Sequence, residues 1–441
     1  MCVARTWLSM MHSQSEERRR INFFSSESKK LYSLFLFVNF LVLVIVILIP
    51  VKAQVENYVF LAFINLSFCS LVLLLSLIVE KFKVRKFDAI LTIQQIRNIR
   101  RNIFLCCFGS IFGLAMVAYD RVYVRGIDYM QGLRAARYEW LASDGGSLVS
   151  MAGNLLIPFS YVGLFLVVIN SKLFTSKAFL FYVFLALLVI FGHAALNGGR
   201  SNILLGLLVM VLAFLLRPGR INYKAVIKAL LMIVLLSVPA FFYVAEIIKS
   251  SASMGGVDLS TLLSRAINGL QGRFVEGYVV QESSQLELLL LYIISYLSHG
   301  QWTAQVIGDL SSMPGSYFLY PFSVILARLS LFSEPLQPGI FSDVGAFVSL
   351  PAAIYYDFGF LGLFAMSSFI GGMFGLTLAF LKDRSRMSGW KLGLFVYFGF
   401  IVLLSPIIPA YGFSYLNFIV FSFFVVGLLN RVFYGKGYRL I

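Results

Sequence analysis

The chain has 441 residues, of which 59% are hydrophobic and 13% charged; a water-soluble domain carries about 25% charged residues. So thin a polar coat excludes a globular protein solvated on all sides, and lipid must be the solvent for much of the chain. The net charge of +16 fits either nucleic-acid binding or the cytoplasmic flanks of membrane spans, and its distribution along the chain separates the two.

Residues 1–30 read as a polar, charged cytoplasmic tail. Lys29 and Lys30 lead into an apolar run at 31–50, and Val51-Lys52-Ala53 loosely fits a signal-cleavage pattern. The run exceeds the roughly 7–15 residues of a signal peptide, so it reads as a retained first span. A span needs ~20 mostly apolar residues, and nine further candidates follow at 58–79, 103–119, 147–170, 178–196, 202–216, 229–246, 359–381, 392–409 and 415–430. They are continuously apolar instead of alternating, which excludes a membrane barrel and leaves helices that satisfy their own backbone. The expected fold class is an all-α polytopic membrane protein with about ten spans.

Between the second and third candidates, Ile90, Ile93, Ile96 and Ile99 alternate with Arg97, Arg100 and Arg101. Segment 81–102 reads as a basic amphipathic stretch on the inner membrane surface, or as a solvated linker. Two outer segments, 120–146 and 247–358, are longer than a connection requires. The second contains apolar stretches at 286–298 and 317–332 that are short for full spans; they read as surface, re-entrant or buried helices, and the count becomes twelve if both cross. The chain thus divides into the tail 1–30, a membrane domain 31–246 that includes loop 120–146, the outer segment 247–358, and the last spans with a cytoplasmic terminus, 359–441.

With the N-terminus inside, the inner segments hold 26 of the 36 Lys and Arg residues but six of the 20 acids. The excess positive charge is a topology signal, and no nucleic-acid partner is implied. Cys2 lies in the tail and Cys69, Cys106 and Cys107 in apolar stretches, so no disulfide framework is expected.

The informative residues are arginines on the outer side. Arg121, Arg125, Arg134 and Arg137 crowd the first large loop, Arg200 sits in the turn Asn197-Gly198-Gly199-Arg200-Ser201, and Arg265, Arg273 and Arg328 belong to the second. Such placement opposes the charge rule and asks for compensation. Asp120, Asp128, Glu139 and Asp144 supply it for the first group by ion pairing, or an anionic substrate supplies it. Guanidinium is permanently charged and grips phosphate through two parallel donors. The Gly-Gly-Arg-Ser turn opens a helix whose free N–H groups suit a phosphate, unless it is simply a tight turn.

His12, His193 and His299 fall in separate regions, so no paired-His zinc pattern exists. No Gly-x-x-x-x-Gly-Lys phosphate loop is present. His299 is read in a long outer loop, as a candidate general base or a bystander.

At this point the chain resembles the Wzy-type oligosaccharide repeat-unit polymerases, which make O-antigen and capsule. The plan of spans with two large outer loops is similar along most of the chain. Leu350-Pro-Ala-Ala-Ile-Tyr-Tyr-Asp-Phe-Gly359, followed by Leu361-Gly362, resembles the family's approach to a late span. An arginine and a glycine separated by ten residues occur as Arg134…Gly145 and Arg328…Gly339, one in each large loop, and also as Arg121…Gly132.

The resemblance implies a membrane-embedded glycosyltransferase of the GT-C type in the bacterial inner membrane. It would transfer a growing glycan from undecaprenyl pyrophosphate to a fresh lipid-linked repeat unit, without a cofactor or an obligatory metal. Arg134, Arg200, Arg273 and Arg328 would bind pyrophosphate with help from Arg137, Arg121 and Arg265, and Glu139, His299 or Asp343 would serve as base. Tyr356 and Asp357 would orient substrate or be structural. The implied partners are the undecaprenyl-pyrophosphate-linked glycan, membrane lipid and a separate chain-length-determining co-polymerase. An O-antigen ligase shares the plan, and a transporter or flippase is the alternative from another class; the latter needs polar groups along a path through the bilayer, whereas the candidate spans hold almost none apart from His193.

Overall fold

A computed structural model describes residues 28–82, 93–142, 147–197, 201–216, 258–269, 272–307, 348–382 and 388–434, with Ala245 and a few positions between 320 and 334. Within these the protein is a polytopic helical membrane protein. Seven helices are long and apolar enough to cross a bilayer, and Ser201–Leu215 and Gly389–Leu404 are shorter apolar helices. Nine of the ten expected spans therefore have a helix, and the remaining one, 229–246, lies almost wholly outside the described residues.

The helices are α1 (Ser28–Leu48), α2 (Tyr58–Phe82), α3 (Ile93–Tyr119), α4 (Leu133–Ala142), α5 (Leu148–Leu156), α6 (Phe159–Ile169), α7 (Ser176–Asn197), α8 (Ser201–Leu215), α9 (Leu259–Gly269), α10 (Gln285–Ile307), α11 (Leu350–Lys382), α12 (Gly389–Leu404) and α13 (Ser414–Tyr434). Two short strands, β1 (Val51–Ala53) and β2 (Gly272–Phe274), pair antiparallel with Lys52 opposite Arg273. Within this otherwise helical structure the pairing stitches the α1–α2 connection to the second large segment.

Helix α6 is the axis of the bundle. Every residue from Ser160 to Ile169 is buried, as expected for a helix that is apolar all round, and α3, α7, α8 and α13 pack about it. The expected span 147–170 is two helices, α5 and α6, meeting at Pro158, which has no N–H to continue the ladder.

Helices α2 and α11 lie side by side with almost no side chain between them. A Cβ on Gly371 would stand 2.7 Å from Val72 Cα, and one on Gly375 would stand 2.6 Å from Ser76 Cα. Small residues four apart let two backbones approach, the usual device where lipid gives helices no hydrophobic reason to associate.

One end of the bundle gathers the basic residues. Tyr32 donates to Glu80 at 2.7 Å, Asn102 donates to Asn430 at 3.0 Å, and Arg100 donates to the Leu173 carbonyl while lying over Phe174. These contacts correct the reading of 81–102. Arg97, Arg100 and Arg101 sit on the first turns of α3, continuous with the span, because Ile99 and Ile103 are buried in the bundle. Residues 83–92 lie outside the described residues.

The second large segment builds its own small core at the opposite end, where Val51, Ala53, Leu263, Ile267, Val280, Leu288 and Trp302 are packed together. The apolar stretch 286–298 is part of α10, which is not among the helices apolar enough to cross; most of 317–332 lies outside the described residues. The late span begins at Leu350 instead of 359, so the boundary expected at 358/359 falls inside α11. There Gly359 breaks the helix with φ 62° and ψ −160°, a conformation that is essentially glycine's alone.

Candidate functional site

The end opposite the basic one carries the expected site residues. Helix α3 ends in a π-turn, Asp120–Val124, whose first two residues are buried. Asp120 pairs with Arg125 at 3.0 Å. Arg121 is 1% exposed, and its guanidinium donates to the Leu196 carbonyl and to Asn197 Oδ1 while its Cζ lies 4.3 Å from the centre of the Trp140 ring. Tyr129 donates to the same Leu196 carbonyl at 2.9 Å. The first large loop is thereby fastened to the end of α7, where Gly198-Gly199-Arg200 begins.

Helix α4 carries Arg134, Arg137 and Glu139 and packs against α7. Arg137 and Glu139 are exposed, and Glu139 accepts from the Asp128 amide at 3.2 Å. Asp128 accepts from Met130 N at 2.8 Å and from Gln131 at 3.1 Å. Arg121 thus sits beneath this surface as part of the fold, while Arg137 and Glu139 face outward.

Sequence reading passed over the group beneath the α7–α8 connection. His193 Nε2 lies 3.1 Å from Asn154 Oδ1 and 2.6 Å from Asn197 Nδ2, and Nδ1 lies 3.1 Å from Asn202 Nδ2. Tyr161 donates to the Asn202 carbonyl at 3.1 Å, and the Tyr415 ring lies 5.1 Å from the imidazole. The available signal was three asparagines and a histidine at the matching ends of apolar spans, each costly there unless partnered.

From Tyr415 the polar layer continues back along the α12–α13 connection to α10. Gln301 donates to the Pro406 carbonyl, Asn65 donates to Gln301 at 3.0 Å, and Gln305 accepts from Asn57 N at 3.0 Å. The Ser349 amide donates to the Gly300 carbonyl at 3.0 Å. His299 lies in this helix, fully buried, which corrects its placement in a loop: the apolar faces of α10 carry it inside. Burial pushes its imidazole down to about 4, against the opposing pull of the Ser295 and Tyr296 backbone.

Arg273 stands apart on β2, 57% exposed in its side chain, 3.0 Å from Glu56; Lys52 shares that carboxylate at 3.9 Å. Arg265 is exposed on α9. Tyr356 and Asp357 are buried in α11 one turn before the Gly359 break. Arg200, Arg328 and Asp343 lie outside the described residues. The structure therefore fastens Arg121 to the end of α7, sets α4 with Arg137 and Glu139 against α7, and places Arg265 and Arg273 on the separate small core.

Among the described residues, no group of three His, Cys, Asp or Glu side chains is gathered as a metal site. No family model, no curated protein and no solved structure matches the chain.

Proposed function

We propose that the protein is a glycosyltransferase of the bacterial cytoplasmic membrane that polymerises oligosaccharide repeat units carried on undecaprenyl pyrophosphate. The basic end of the bundle and both termini face the cytoplasm in this reading, and the site lies at the opposite end. The observation that carries it is the fastening of the arginine-bearing first loop to the end of α7 through Arg121. The segment holding Arg134 and Arg137 is thereby tied to the end of α7, three residues before Arg200 in sequence, and this reading puts it on the side of the membrane where the charge rule disfavours arginine.

In the proposed reaction the acceptor sugar hydroxyl attacks the anomeric carbon of the donor glycan. The bond from that carbon to pyrophosphate breaks, and the leaving oxygen keeps the electron pair. Arg134, Arg137 and Arg200 stabilise the charge that develops there, an electrostatic contribution that is often the largest in catalysis. Arg273, Arg265 and Arg328 serve the second lipid-linked substrate, and a co-polymerase sets chain length. A carboxylate takes the hydroxyl proton. Glu139 suits this better than His299, because Glu139 is exposed on the same corner whereas His299 is sealed inside the protein.

The test is the glycan profile of cells lacking the protein, complemented with wild type or with Ala at Arg134, Arg200, Arg273 or Arg328. Loss of the multi-repeat ladder while single repeats still reach the surface is the expected phenotype, with rescue by wild type and failure of the variants. Normal long chains from all four variants would end this reading. Disappearance of single repeats as well would point to transport or ligation.

A further inference from the structure

Helices α3 and α7 run parallel, side by side along most of their length. Arg100 donates to the Leu173 carbonyl just before α7 begins, Cys107 Sγ lies 3.9 Å from the Tyr182 carbonyl, and Arg121 donates to the Leu196 carbonyl near the end of α7. Both N-termini therefore lie at the basic end, and residues 97–101 stand level with residues 172–177. Each helix brings the positive end of its dipole there, where acidic side chains are the favourable ones, yet neither has an acid in its first turn. Cations take that place instead. Arg97 and Arg100 on α3, Lys172 in the α6–α7 connection and Lys177 on α7 are all exposed.

Among the described residues none of these four has an acidic partner. The one acid described at this end, Glu80, is buried on α2 and accepts from Tyr32. Like charges gathered so closely repel one another, and an anion between them reverses the sign of the interaction. Arg100 is already posed for one. Its Cζ lies 5.7 Å from the centre of the Phe174 ring, and ring and Leu173 carbonyl together fix the guanidinium while leaving most of its N–H groups unused. Beside Lys172 the Ser171 hydroxyl, shielded from solvent, also lacks a partner among the described residues.

We infer that this place, between the first turns of α3 and the α6–α7 connection, binds the phosphate of an anionic phospholipid from the leaflet on that side. The bilayer presents such phosphates at the level where spans end, and a guanidinium grips phosphate oxygens through two parallel donors. Arg100 holds the phosphate. Arg97, Lys172 and Lys177 supply the charge that selects an anionic headgroup over a zwitterionic one. The site stands whichever reaction the protein carries out, because it lies at the end of the bundle opposite the candidate functional site.

The test follows thermal unfolding of the full-length protein in an uncharged detergent as phosphatidylglycerol, phosphatidylcholine or inorganic phosphate is added, since a ligand of the folded state raises the midpoint. Phosphatidylglycerol should raise it saturably, and phosphatidylcholine should not. Arg97→Gln and Lys172→Gln should each raise the half-saturating concentration of phosphatidylglycerol about fivefold, the worth of one cation near an anionic headgroup. Lys81→Gln removes the same charge from the end of α2, which packs against α11, and should leave that concentration unchanged. No stabilisation by phosphatidylglycerol, or equal stabilisation by phosphatidylcholine, would overturn the inference. Equal losses from Lys81→Gln and Arg97→Gln would overturn it too, because the effect would then belong to net charge and not to a site. Saturation by inorganic phosphate at the same concentration would assign the place to a soluble anion and overturn the lipid. Should Arg97→Gln fail to accumulate, Lys172→Gln and Lys177→Gln make the same comparison.

Discussion

Arg121 and Asn197 are 76 residues apart in sequence and meet side chain to side chain, joining the end of α3 to the end of α7. Two donors of one planar guanidinium reach two acceptors, the Asn197 amide and the Leu196 carbonyl, and a lysine ammonium cannot reproduce that fork. Arg121→Ala should lower stability by about 1–3 kcal/mol, and Arg121→Lys should recover little of it. Thermal unfolding in detergent measures both. A lysine variant as stable as wild type would mean that the charge matters and the two-point geometry does not.

The contact of α2 with α11 predicts opposite outcomes for neighbouring glycines. Gly375→Ala pushes a methyl into the Ser76 backbone, whereas a Cβ on Gly372 meets nothing within 4 Å. The first should cost about 1–3 kcal/mol, as overpacking does. The second should be neutral or slightly stabilising, as Ala is the better helix former. Equal effects from the two would contradict the close approach.

Gly359 isolates backbone strain from packing. A Cβ there meets nothing within 4 Å, yet φ is 62°. Gly359→Ala should therefore cost about 1–3 kcal/mol through the backbone alone, or straighten α11. A circular dichroism spectrum with more helix at unchanged stability would favour straightening and count against a fixed break.

His299 gives a pH dependence whose sign follows from burial. In the fold its imidazole is held down to about 4, whereas in the unfolded chain it titrates near 6.5. The unfolded state alone takes up the proton between these values, so the contribution is complete above pH 6.5 and is lost as pH falls toward 4. The loss reaches at most ~1.4 kcal/mol per pH unit. The stability difference between wild type and His299→Gln should therefore shift against wild type between pH 7 and pH 5. A difference that stays constant would mean that the ring is not buried in its neutral form.

Orientation has a direct chemical test, because Cys69, Cys106 and Cys107 are all buried and Cys2 can be replaced by serine. Glu282 and Lys177 are exposed at opposite ends. An impermeant maleimide on intact cells should label Glu282→Cys, and should label Lys177→Cys only after lysis. The reverse pattern would put the α7–α8 corner in the cytoplasm and remove the proposed reaction with it.

Composition, hydropathy and charge were enough to identify a helical membrane protein and nearly all of its described spans, because the cost of placing a residue in lipid is a local sum over about 20 neighbours. The same sums gave no hint that Ile93–Asn102 continues a span, since their charges are tolerated at its end, or that Gly371 and Gly375 seat one helix on another. The arginines of the first loop were legible as residues in an unusual place. Whether each faces outward or is folded inward was decided by tertiary contacts: Arg137 and Arg121 look alike in sequence, yet only the second finds Leu196, Asn197 and Trp140 around it. His193 shows the same division. Its position near a span end was readable, but its partners come from α5, α7 and α8, and only packing those helices around α6 brings three asparagines to one ring.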